Sequence, residues 1–384
     1  MVDREDVLKG YGAEGKILQE LLPYGESGFS TEKISWPVHL PLSDEVHVEA
    51  WEEYREISKE KGAFACLQER LPQFWFPIKE GTSKNDLYRA ATLRGDEEYR
   101  TEVSEKLTMR SPDQVGIFCY QTLAGRVPII TSGDREDFVR ILQAIFKKGE
   151  PEPVPDAVGA TMGAGFNNWD RIRQYKNKWV AENSILFWGE EFKRLIQQKE
   201  LYQDKFILIS GGLYSNVSAK EVDLPQDKWQ ELSLKIRMEH ESTHYMTARF
   251  FGSVRDCAFE EMVADYTGIV EAVGEFRADW FLRFMGLENF PRFRETGRLV
   301  RYRGTPPLSD EAFTILQKMI IDAAHHIEEV DRKFFAKGQR GVREKALMFF
   351  ALSEGCLEEW ASGKLEARVA GWDQKIDSMI TSSK

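Results

Sequence analysis

Residues 240–244 read His240-Glu241-Ser242-Thr243-His244, and residues 260–265 read Glu260-Glu261-Met262-Val263-Ala264-Asp265. Each stretch carries its chemical groups at the spacing of a helix face. Two imidazoles four residues apart lie on one side of an α-helix, close enough to hold a single ion in tetrahedral geometry. Glu241 is turned about 100° from His240, so it borders such an ion without having to bind it. Glu261 and Asp265 are again four apart. A second helix turned back against the first would bring Glu261 up as a third ligand and leave the fourth position to water. Asp265, one turn further on, is placed to accept the other ring N–H of a ligand histidine.

The flanking residues support two helices in that order. Pro225 opens a long helical segment with Asp227 near its start, and the segment runs to about Phe251. Gly252 is a helix stop that lets the chain reverse. The second helix is expected from about Asp256 to about Val273.

An HExxH helix followed by E-x-x-x-D on the next helix resembles the gluzincin metallopeptidases, the thermolysin-like group and its relatives. Glu261-Met262-Val263-Ala264-Asp265 is similar to the E-x-x-A-D ending of several of their branches. The resemblance covers residues 240–268. It implies a zincin-like fold and one Zn2+ held by His240, His244 and Glu261. It also implies Glu241 as general base, Asp265 as the carboxylate behind a ligand histidine, and a peptide or small amide as substrate. In such a site the ion lowers the pKa of its bound water toward ~7 and polarises the scissile carbonyl. Glu241 then accepts the water proton and passes it to the leaving group.

Two other classes fit the same ligands. One is a structural or catalytically silent metal site on a scaffold that binds a partner. The other is a two-histidine, one-carboxylate Fe(II) centre for oxygen chemistry, which leaves Glu241 without a task.

Weaker candidates lie around this core. His325 and His326 are adjacent in a late helix, with Asp322 one turn before and Glu329 one turn after. At most one of them can face a metal cleft, and His326 is the candidate to stabilise an oxyanion, as a histidine does in thermolysin-like enzymes. The plainer reading is a surface pair with carboxylate neighbours. Tyr245 and Tyr266 flank the ligands and can donate to an oxyanion, although packing is the default for each. Five arginines, at 292, 294, 298, 301 and 303, form either a clamp for a substrate carboxylate or a set of partners for nearby acids. Gly159 to Gly165 followed by Asn167, Asn168 and Trp169 reads as a loop, with a lid over the cleft as the alternative.

The rest of the chain sets the frame. The 384 residues carry 52 Lys+Arg against 63 Asp+Glu, a net charge of −11, which speaks against a general nucleic-acid binder. No apolar stretch approaches the roughly 18 residues of a membrane span. The start Met-Val-Asp-Arg-Glu-Asp lacks the pattern of a secretory signal, and four scattered cysteines without a CxxC pair fit a reducing cytoplasm.

Residues 43–70 read as helical, 115–131 as a hairpin turning at Ala124-Gly125, and 134–148 as a helix. Lys205 to Gly212 and Val217 to Leu224 read as strands, and helices dominate from Ser309 on. The alternating prolines of Gly149-Glu150-Pro151-Glu152-Pro153-Val154-Pro155 exclude helix and suggest a domain edge. The expected fold is therefore α+β. An accessory mixed domain takes residues 1–150 and a zincin-like metallohydrolase domain takes 151–384. The latter divides into strands and loops over 151–226, metal-site helices over 227–275, packed under a small sheet, and a helical region over 276–384.

Overall fold

The apolar run Phe206-Ile207-Leu208-Ile209 is completely buried, which marks its strand as an interior one. In the computed structural model, which describes residues 3–25, 29–96, 98–254 and 257–382, that strand is Gln203–Ser210. It pairs in parallel with Gly125–Ser132, with Ile129 opposite Ile207. On its other side it runs antiparallel to Ala160–Asn167, with Ala160 opposite Ile209. Val115–Thr122, the outer arm of the expected hairpin, completes a four-stranded sheet. Helices Val48–Lys61 and Arg135–Phe146 contribute Trp51, Tyr54, Phe138 and Ile141 to one core with Phe206 and Leu208. Asp134 starts the second of these helices by accepting from the Glu136 and Asp137 amides.

Two compact units divide the chain. The sheet unit takes Ser43–Gln121 and Gly125–Gly212, and the helical unit takes the chain up to Leu42, Thr122–Ala124 and Leu213 onward. A boundary at 150/151 therefore does not separate them. Strands after residue 151 finish a sheet begun before it, because Gln203–Ser210 needs a partner along both edges. The proline run stays inside the sheet unit, where the Glu150 carboxylate accepts from the Gly81 and Ser83 amides.

Two local readings also change. The glycine-rich stretch is the strand Ala160–Asn167, with Gly165 at φ +76° where the register shifts between Ala164 and Phe166. The lid alternative fails with it. Asn167 accepts from Gln203, Asn168 caps the following helix, and the Trp169 indole donates to the Thr92 carbonyl. Val217 to Leu224 is not a strand. The Ser218 amide and hydroxyl both bond Glu221, a capping box that closes the short turn Ala219–Val222 instead.

In the helical unit, Gln226–Phe251 and Ala258–Val273 are followed by Asp310–Phe334, Val342–Glu354, Leu357–Ala361 and Leu365–Met379. The expected start of the second helix near Asp256 lies outside the described residues. Large side chains such as Trp229, Phe281, Trp360 and Trp372 fill this unit's interior. Its described strands are the short parallel pair Val38–Leu40 and Ile380–Ser382. The four-stranded sheet belongs to the other unit, and Gln226–Phe251 packs chiefly along Ala258–Val273. The class is α+β, and among the described residues no helix is long and apolar enough to cross a membrane.

Candidate metal centre

The helix Gln226–Phe251 ends where Gly252 takes a left-handed φ of +72° and its amide bonds the Ala248 carbonyl. The chain then returns as Ala258–Val273. Glu261, Asp265 and Gly268 fall on one face of that helix, at spacings of four and three. Gly268 is the contact point between the helices, since a Cβ there would lie 2.8 Å from the Ile236 carbonyl oxygen. The Thr243 and Thr267 hydroxyls bond each other across the same seam. Close backbone approach is what lets short carboxylate side chains reach the histidines.

Three donor atoms converge there. His240 Nε2 and His244 Nε2 are 3.3 Å apart. Glu261 Oε1 is 3.4 Å from His244 Nε2, and Oε2 is 3.6 Å from His240 Nε2. Donors about 2.1 Å from a tetrahedral ion stand about 3.4 Å from one another. The His240, His244 and Glu261 set therefore has the size of a metal site.

The other ring nitrogens are anchored to carboxylates. His240 Nδ1 lies 2.9 Å from Asp265 Oδ1, as the spacing predicts. His244 Nδ1 lies 2.8 Å from Glu260 Oε1, which also accepts from the Thr247 hydroxyl at 2.7 Å. With each Nδ1–H donating to a carboxylate, each Nε2 presents its lone pair to the common point.

The charges are interlocked. Burial pushes the Glu261 carboxyl up, but His240, His244 and Arg298 outweigh it and hold the group well below the usual carboxylate range. Burial pushes His244 down, yet Glu260, Glu261 and Glu241 together raise it well above its ordinary value. Metal binding at this site therefore competes with protonation of His244.

Glu241 is only half-buried, and among the described residues its carboxylate has no hydrogen bond or ion pair. It is left free beside His240. Other candidates sit elsewhere. Tyr245 is 0 % exposed and packed in the interior of the unit. Tyr266 is buried and donates to Asp331. His326 is not at the cluster; its Nδ1 bonds the Trp360 carbonyl at 2.9 Å, because Asp310–Phe334 packs that face on Leu357–Ala361. Asp322 accepts from Tyr11 instead of serving the histidine pair. Of the five arginines, Arg294 pairs with Glu288 and Arg303 with Asp310. Arg298 turns inward to Asp265.

Three participants escaped the sequence reading, Glu260, Thr247 and Tyr214, while Arg298 takes the reading of a partner for a nearby acid. The Glu260-Glu261 doublet was a usable signal, since neighbours about 100° apart can serve two different rings. Nothing local marks Tyr214. Its hydroxyl lies 2.9 Å from His240 Nδ1 and donates to Asp265 Oδ1 at 2.5 Å.

The chain belongs to the DUF7005 family, described as a family of unknown function, whose model matches residues 6–364. No curated protein and no solved structure matches the chain.

Proposed function

We propose that this member of the family is a zinc-dependent hydrolase, a metallopeptidase that cleaves a peptide or another small amide. One observation carries the reading: three ligand atoms at tetrahedral spacing stand beside a half-buried Glu241 whose carboxylate has no hydrogen bond or ion pair among the described residues. A structural metal site has no use for that free carboxylate, and neither does an Fe(II) centre. The likeness to gluzincins and to the zincin fold rests on the helix pair and its ligands.

His240, His244 and Glu261 would hold the zinc, which would supply a Lewis acid able to lower the pKa of a bound water toward ~7. Asp265 and Glu260 hold the two imidazoles in the orientation and tautomer that binding demands. Glu241 takes the proton of the attacking water and delivers it to the leaving nitrogen. The cytoplasm as site of action is part of the proposal, supported by four scattered cysteines with no CxxC pair in the sequence.

The test is metal analysis of protein purified without added zinc, joined to hydrolysis of a mixed peptide pool. One zinc per chain is expected, with turnover lost on chelation and restored by zinc. His240→Ala should bind none. A chain that takes up no zinc refutes the centre, and a zinc-loaded chain inert toward every peptide and amide refutes the hydrolase.

A further inference from the structure

We infer that Arg298 is a positioning residue that sets how Glu261 meets the ion, engaging Oε2 and leaving Oε1 as the one ligand atom. The inference rests on the zinc-site reading above and deepens it. Arg298 begins the turn Arg298–Tyr302, and its side chain is 15 % exposed. The turn is seated tightly, since a Cβ on the preceding Gly297 would run into the Met285 carbonyl and the Gly286 backbone.

Two anchors orient the guanidinium. Nη2 bonds Asp265 Oδ2. Nη1 donates to the Tyr214 hydroxyl at 2.9 Å, and the guanidinium carbon lies 5.1 Å from the centre of the Tyr214 ring. Tyr214 is buried, and its hydroxyl donates to Asp265 Oδ1. Nη1 carries a second hydrogen. Nη1 also forms an ion pair with Glu261 Oε2, at 3.4 Å.

Without that contact the two carboxylate oxygens are nearly equivalent. Oε1 stands 3.4 Å from one ligand imidazole and Oε2 stands 3.6 Å from the other. A carboxylate so placed is able to chelate, which adds a ligand and crowds the position that a reacting water needs. A guanidinium held beside Oε2 competes for that oxygen through its charge. Glu261 then binds through Oε1 alone, giving three protein ligands and an open fourth position, the count of a catalytic rather than a closed site.

Cobalt(II) substitution reads this directly, because visible absorption is stronger for four-coordinate cobalt than for five-coordinate cobalt. The wild-type chain should bind one cobalt and absorb strongly. Arg298→Met should bind one cobalt with absorption lowered about two-fold or more as Glu261 chelates. Tyr214→Phe should show a smaller drop, and Arg298→Lys should recover part of the intensity. A folded Arg298→Met chain with the wild-type spectrum overturns the inference.

Should removal of the Asp265 partner unfold Arg298→Met, X-ray absorption of the wild-type zinc protein decides without a variant. Four nearest light atoms are expected, and a fifth from a chelating carboxylate overturns the inference. Failure of the wild-type chain to take up cobalt or zinc overturns the metal reading itself. An altered ligand count with full uptake overturns only the role of Arg298.

Discussion

Glu260 Oε1 and His244 Nδ1 are 2.8 Å apart, with the Glu260 side chain completely buried. The bond pins the ring of one proposed ligand from the side away from the ion. Outer partners of this kind typically tune metal affinity 10–100-fold. Glu260→Ala should therefore weaken zinc binding by about 10–100-fold in competition with a chromophoric chelator. Glu260→Gln keeps an acceptor and should lose less. Equal affinity in all three proteins would mean that packing alone orients His244.

The charge coupling gives a pH dependence whose sign can be worked out. His244 is raised above its ordinary 6.5, so in metal-free protein its contribution to stability is complete below pH 6.5 and fades as pH climbs toward the raised value. Glu261 is depressed below its ordinary 4.5, so its contribution is present above pH 4.5 and is lost only in stronger acid. At the proposed centre zinc competes with the His244 proton, so its binding should strengthen as pH rises. Thermal melts at pH 6, 7 and 8 should show a zinc-induced increase in Tm that widens with pH. A constant increase would contradict the coupling.

Glu241 stands beside the proposed ligands with no hydrogen bond or ion pair among the described residues, so its removal should cost chemistry and spare binding. Glu241→Gln should retain one zinc per chain while kcat falls by about 10²–10⁴-fold, the usual size of general-base catalysis. Loss of zinc and activity together would make Glu241 a ligand, and full activity would remove it from the mechanism.

Gly268 has no room for a methyl group against the Ile236 carbonyl. Gly268→Ala should push the two helices apart and destabilise the chain by about 1–3 kcal/mol in urea unfolding. Zinc affinity should fall as well, because the carboxylate and the histidines ride on different helices. Wild-type stability with wild-type zinc affinity would show that the seam has slack.

Much of the proposed centre was legible because helical spacing is local. His240 and His244 share a face wherever a helix forms, and so do Glu261 and Asp265. Gly252 marks the reversal between them for an equally local reason, its left-handed φ. The hairpin and the helix after Asp134 could be read from alternation and capping in the same way. Misreadings arose where a segment's partner is remote. A glycine-rich stretch looks like a loop until Gln203–Ser210 lies alongside it. His326 looks available until the Trp360 carbonyl meets it.

The chain's linear order, then, was enough to specify a two-helix cluster of two histidines and a glutamate, because 3.6 residues per turn puts those side chains on common faces before any tertiary contact exists. Tertiary structure alone decided the supporting groups. Tyr214 arrives from 26 positions before His240, and Arg298 from 33 positions after Asp265. No periodicity links residues so far apart; the packing of the helices and turns of this unit brings them together.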